Sequence, residues 1–92
     1  MNQITTLITN ALAQHKAYKD DYPDTILLMR IGNFYETFGT DAGIVASIGK
    51  LTKTTRDGMA MCGVPYHAIV KLELALLVAG HKVGIVTYNP PS

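Results

Sequence analysis

Apolar residues recur at helical spacing near the start of the chain. Ile4, Leu7, Ile8, Ala11, Leu12 and His15 fall at i, i+3, i+4, i+7, i+8 and i+11. The spacing predicts an amphipathic helix over residues 3–19, with Lys16 and Lys19 set against the negative end of its dipole. Asp20-Asp21-Tyr22-Pro23-Asp24 then breaks the pattern, because Pro23 disfavours helix at Tyr22. The next run, Ile26-Leu27-Leu28-Met29, is continuously apolar and predicts a buried strand over about Thr25 to Ile31. Gly32-Asn33 interrupts it, and an extended piece resumes at Phe34.

Beyond Phe38 the period changes again. Gly39-Thr40-Asp41 reads as a turn with an N-cap for a short helix, about Ala42 to Ile48, with Ile44, Val45 and Ile48 inward and Gly49 at the position after its end. Leu51 to Thr55 is β-compatible but weakly patterned, and Arg56-Asp57-Gly58 is a turn signal. Met59 to Val64 predicts a short strand. A strongly apolar helix follows, about His67 to Ala79, capped by Gly80. Ile69, Leu72, Leu76 and Ala79 form one face, and Leu74 and Leu77 widen it, which predicts a well-covered helix. His81 to Tyr88 reads as the last strand, with Val83, Ile85 and Thr87 on one side and Val86 and Tyr88 on the other. The Met59–Val64 strand, the helix and the last strand resemble one crossover unit, right-handed if its two strands are parallel neighbours. Strands alternating with helices predict an α/β fold: one domain over residues 1–92, a mixed β-sheet flanked by about three helices, with Pro90-Pro91-Ser92 as a loose tail.

Composition narrows the classes. Ninety-two residues hold one domain, and an apolar fraction of 48% with only 16% charged residues is enough for a core and too apolar for disorder. The net charge of +1 gives little long-range pull on phosphates, so DNA affinity from this chain alone should be low and salt-dependent. The lone Cys62 excludes an intrachain disulfide. No apolar run reaches membrane-spanning length, and the polar start shows no secretory pattern, so a reducing cytoplasmic setting is expected.

The chemistry concentrates in Arg30-Ile31-Gly32-Asn33-Phe34-Tyr35-Glu36-Thr37-Phe38, where three rings surround one carboxylate. In an extended backbone Phe34 and Glu36 share a face and Tyr35 takes the other. An exposed ring beside an acceptor suits a flat partner with a polar edge, such as a nucleotide base. Phe beside a strand is ordinarily core and a nearby Glu ordinarily solvated, so spacing alone leaves both readings open. Catalysis has little support. The chain has no phosphate-binding Gly-x-x-x-x-Gly-Lys-Ser/Thr loop and no Gly-x-Ser-x-Gly. His15, His67 and His81 lack metal-ligand spacing with Cys62, so neither a metal nor a cofactor is expected. Cys62 and His67 invite a nucleophile reading, against which a small buried Cys at a strand end is the simpler account. Thr52 to Arg56 offers hydroxyls and two cations to phosphate oxygens, with Asp57 lowering the local field.

Three blocks in order carry a family resemblance. Ile26 to Phe38 with Asp41-Ala42, then Leu51-Thr52-Lys53 with Met61-Cys62-Gly63-Val64-Pro65-Tyr66-His67-Ala68, then Leu76 to Val86 closely resemble the N-terminal mismatch-recognition domain of the MutS DNA mismatch repair family. The resemblance covers nearly all of residues 1–89. It implies a mixed α/β domain whose Phe-x-Glu motif enters the minor groove at a mispair. Phe34 would stack on the mispaired base and Glu36 would hydrogen-bond to it. Lys53 and Arg56 would be backbone contacts. An apolar wedge unstacks one step, and a mispaired step resists least. A carboxylate near phosphates favours a base that supplies a donor or a proton.

Three departures stand out. The family's connector, lever, clamp and ATPase domains are not among these residues, Asn33 stands where the family commonly has Asp, and the loop between Lys53 and Met61 is short. Starting at Met1 and ending in Pro-Pro-Ser, the chain reads as a natural small protein rather than a fragment. The resemblance implies a non-enzymatic module for double-stranded DNA with mispairs or unpaired bases, with other mismatch repair proteins as further partners. The alternative is a protein-interaction or regulatory module that keeps the fold and docks on a repair protein or on itself.

Overall fold

The strand Thr25–Ile31, β1, is the axis of the molecule. Ile26, Leu27, Leu28 and Met29 are all buried, which is why this strand is continuously apolar instead of alternating: both its faces are covered. In the computed structural model, which describes residues 3–91 with side chains from residue 6, Phe34–Phe38 (β2) returns antiparallel on one side of β1. Lys82–Thr87 (β5) runs parallel on its other side, in register from Thr25↔Lys82 to Arg30↔Thr87. Met59–Pro65 (β4) pairs antiparallel with β2, and the three-residue Thr54–Arg56 (β3) closes that edge. The sheet order is β3-β4-β2-β1-β5.

Two hairpins follow from turn chemistry. Gly32 takes φ 58 at the first position of a two-residue reversal, as a type II′ turn requires, so the break after Ile31 folds the chain back on itself. Asp57 and Gly58 both take positive φ, 51 and 75, as a type I′ turn requires between β3 and β4.

Helices cover both sheet faces. Gln3–Asp21 (α1) lies on one, packing Ala11 on Met29 and Phe38, with Ile31, Met61, Val86 and Tyr88 around them. Ile4, expected on this helix face, lies outside the described side chains. Gly39–Gly49 (α2) and Ile69–Val78 (α3) share the other face, where Ala42, Val45, Leu72 and Leu76 pack on Ile26, Leu28, Cys62 and Val64. Val83 faces this side and Val86 the other, so the alternation expected for the last strand holds.

Four expectations need correction. The second helix begins at Gly39 with Phe38 as its cap, so Asp41 does not cap it and is instead buried in its first turn. That helix ends at Lys50, which takes the left-handed conformation with φ 55, while Gly49 stays helical. Space is tight at Gly49, where a Cβ would lie 3.0 Å from side-chain carbons of Leu51 and Leu72. The β4 and β5 strands run the same way but are separated by β2 and β1, so they are not neighbours and the crossover partner of β5 is β1. Lastly, α3 is only half covered. Leu72 and Leu76 are buried, but Val70, Leu74, Leu77 and Val78 stand 50–81% exposed. The helix sits at the sheet's β5 side, and only one of its apolar stripes can meet the sheet.

Where β1 and β2 splay apart, a polar cluster fills the gap. Their pairing covers only Met29–Ile31 against Phe34–Glu36. Leu27, further down β1, therefore lacks a β2 partner. Its N–H donates to the Asp41 carboxylate at 3.1 Å, and its carbonyl accepts from His15 Nε2 at 2.9 Å. Lys19 donates to the other Asp41 oxygen at 3.0 Å, and Thr37 Oγ1 lies 3.3 Å from His15 Nε2. Among the described residues no buried side-chain polar atom lacks a partner. This cluster ties α1 and α2 to the sheet and fixes the strand that carries Phe34.

Candidate nucleic-acid interface

The β1–β2 hairpin presents Phe34 beside its turn. Along one face of β2, exposure falls from Phe34, 48% exposed, through half-buried Glu36 to buried Phe38. Phe38 is covered by α1, with the His15 ring edge-on to it at 5.3 Å. Helix α1 thus covers the inner end of this face and leaves the outer ring bare. Phe34 and Glu36 share the strand face that their spacing predicts.

The strand beside them shapes the floor. Pro65 of β4 stands opposite Phe34, and Gly63 stands opposite Glu36. The carboxylate of Glu36 lies over Gly63, in the space a Cβ would occupy. Partial burial there raises its pKa above the ordinary carboxylate value, because desolvation disfavours the charged form.

The opposite face of the hairpin is braced by a cation between two rings. The Arg30 guanidinium lies 5.3 Å from the Tyr35 ring centre and 5.1 Å from that of Tyr66. Its Nε donates to the Gly32 carbonyl in the turn itself, and Tyr66 N–H donates to the Asn33 carbonyl at 2.8 Å. Both turn residues are therefore held from below.

The two cations sit elsewhere. Arg56 and Lys53 are exposed, at the β3 edge. Arg56 pairs with Met59, at the opposite end of β4 from the Pro65 that faces Phe34. That is about 20 Å along the sheet at the usual strand rise. Lys53 lies beside α2, near Thr40, Ile44 and Ser47. Cys62 is buried in the core, and burial together with the Glu36 charge raises its thiol pKa, the reverse of an activated nucleophile. Among the described residues no cluster of His, Cys, Asp or Glu is arranged to hold a metal, and no helix is long and apolar enough to cross a membrane.

Comparison with known proteins matches the sequence that builds this geometry to a family. The family model for MutS domain I matches residues 9–90. The chain belongs to the MutS domain I family. DNA mismatch repair protein MutS of Petrotoga mobilis is 45% identical over 78 residues, covering 85% of this chain and 10% of that protein. The MutS of Desulfitobacterium hafniense is 42% identical over 85 residues, covering 87% and 10%. That of Leptospira interrogans is 43% identical over 86 residues, covering 92% and 10%. The chain thus spans about a tenth of the length of these relatives.

The fold explains why the MutS-like blocks occur together. The Phe-Tyr-Glu block is β2 and the Cys-Gly-Val-Pro block is β4, paired residue by residue from Phe34↔Pro65 to Phe38↔Met61. Residue-by-residue reasoning missed Arg30, Gly63, Pro65 and Tyr66 as parts of this site, though they lie inside the resembling blocks. The one signal available was that both blocks carry the same family resemblance within this one chain.

Proposed function

We propose that this MutS domain I chain is a mismatch-recognition module that acts on double-stranded DNA without chemistry of its own. Phe34 enters the minor groove and stacks on a mispaired or unpaired base, and Glu36 hydrogen-bonds to that base. The exposed Phe34 ring at the hairpin tip, with Glu36 on the same face, carries the reading. The brace of Arg30 under the turn supports it, since a wedge must hold its angle to unstack a step. Selectivity follows from cost: a mispaired step is less well held, so opening it takes less energy. Lys53 and Arg56 would touch backbone away from the wedge, and for Arg56 about 20 Å corresponds to about six base-pair steps. The ATP-dependent and clamp functions of full-length mismatch repair proteins lie outside this reading.

With a net charge of +1, binding should be micromolar or weaker at physiological salt. The test is a titration of mispaired duplex at low salt with wild type and Phe34→Ala. A stacked base is worth about 1–3 kcal/mol, so the variant should bind about 5- to 150-fold more weakly. Equal binding refutes the wedge.

One observation favours the second reading, a protein-interaction module: the exposed apolar stripe Val70, Leu74, Leu77 and Val78, on the sheet face opposite Phe34. A dimer in size-exclusion chromatography with no DNA shift at low salt would select it over the first.

A further inference from the structure

Gly63 faces Glu36 across the β2–β4 ladder. Its backbone does not call for glycine, since the glycines with left-handed φ among the described residues are Gly32, Gly39, Gly58 and Gly80. Space calls for it. A Cβ on Gly63 would overlap the carboxylate carbon and both oxygens of Glu36. Its neighbours Cys62 and Val64 point into the core on the other face, so position 63 is the place where β4 can make room for the acid. Two positions along, Pro65 stands opposite Phe34.

We propose that Gly63 determines specificity in mismatch reading: its bare backbone seats the Glu36 carboxylate beside the Phe34 ring, and any side chain there turns the acid away from the base. This rests on the roles proposed above for Phe34 and Glu36. A free glutamate side chain samples many rotamers and loses that freedom when it binds. Seated against β4, the acid has lost much of it beforehand, which is preorganisation. The ring alone tells a weak step from a strong one. The seated acid adds a second criterion, a donor on the displaced base.

Gly63→Ala is a usable probe because the atoms it displaces are the far end of a flexible side chain, so the fold should persist, as a thermal melt will confirm. Two readouts separate the parts of the proposal. Carbon-13 NMR titration of the free 92-residue protein reports the Glu36 carboxyl directly. Gly63→Ala should bring its midpoint down to the ordinary carboxylate range, as the group moves into solvent. Fluorescence anisotropy at low salt then compares a duplex carrying one G·T mispair with its fully paired counterpart.

Gly63→Ala should lose about tenfold of the preference for the mispair over the paired duplex, as expected for one hydrogen bond to a charged group. Glu36→Ala should show the same loss, and adding Gly63→Ala to it should change nothing more. An unmoved Glu36 titration, or a folded Gly63→Ala that discriminates as wild type does, overturns the proposal. So does a loss that persists undiminished in the Glu36→Ala background. If wild type discriminates only while Phe34 is present and Gly63→Ala matches it, the role of Gly63 alone fails. If wild type and Phe34→Ala bind the mispair alike, the wedge fails and the selectivity role falls with it.

Discussion

Replacing Asp41 by alanine should remove a large part of this domain's stability. The carboxylate accepts the Leu27 N–H at 3.1 Å and the Lys19 ammonium at 3.0 Å, and it is itself 3% exposed. Leu27 is 2% exposed, so its N–H gains no water when the acceptor goes. An orphaned buried donor costs about 1–3 kcal/mol. Lys19 adds less, about 0–1 kcal/mol, because it is 24% exposed and keeps the Thr25 carbonyl at 2.7 Å. The sum is about 1–4 kcal/mol, against a total of about 5–14 kcal/mol for a domain of this length. Urea unfolding followed by circular dichroism reads it directly. At a slope of about 1 kcal/mol per molar, the midpoint should fall by about 1–4 M. Asp41→Asn separates the two contributions, since the amide oxygen can still accept from Leu27, and it should cost less than half as much. A shift under about 1 kcal/mol for alanine refutes the reasoning. Equal damage from asparagine and alanine would mean that charge, not satisfaction of Leu27, holds the junction together.

The His15 ring should make the domain acid-sensitive. Burial lowers its folded pKa below 6.5, so the unfolded chain binds more protons than the folded one between those two values. Stability should be full above about pH 7 and fall as pH drops through about 6.5, and His15→Gln should flatten that part of the urea-midpoint profile. On α3, Leu76→Ala should cost about 2–5 kcal/mol, while Leu74→Lys should stay within about 0.5 kcal/mol, although hydropathy ranks the two leucines alike. Thermal melts of both variants check it, and a large loss from Leu74→Lys would show that its stripe is covered.

Much of the architecture is legible in the chain itself. Local backbone rules act over a few residues, so they write themselves into sequence. The continuous run Ile26–Met29 marks a strand covered on both faces, Gly32 and Asp57-Gly58 mark the reversals, and Phe34 and Glu36 share a face because strands have a period of two. The family blocks mark the candidate site's residues without giving its shape.

Tertiary structure decided the rest, because each of these outcomes depends on which distant residue lies opposite. Phe34 is exposed and Phe38 buried because α1 packs on Phe38 and not on the hairpin tip; as a sequence, both are a phenylalanine at an end of the same short strand. Asp41 looks like a helix cap and is a buried acceptor, because β1 and β2 splay and leave Leu27 in need of one. The pairing of β5 with β1 rather than β4, and the bare stripe of α3, depend on how five strands share one sheet. Nothing local marks Gly63, and its need for a bare backbone comes from the acid that pairing places over it, 27 residues away in the chain.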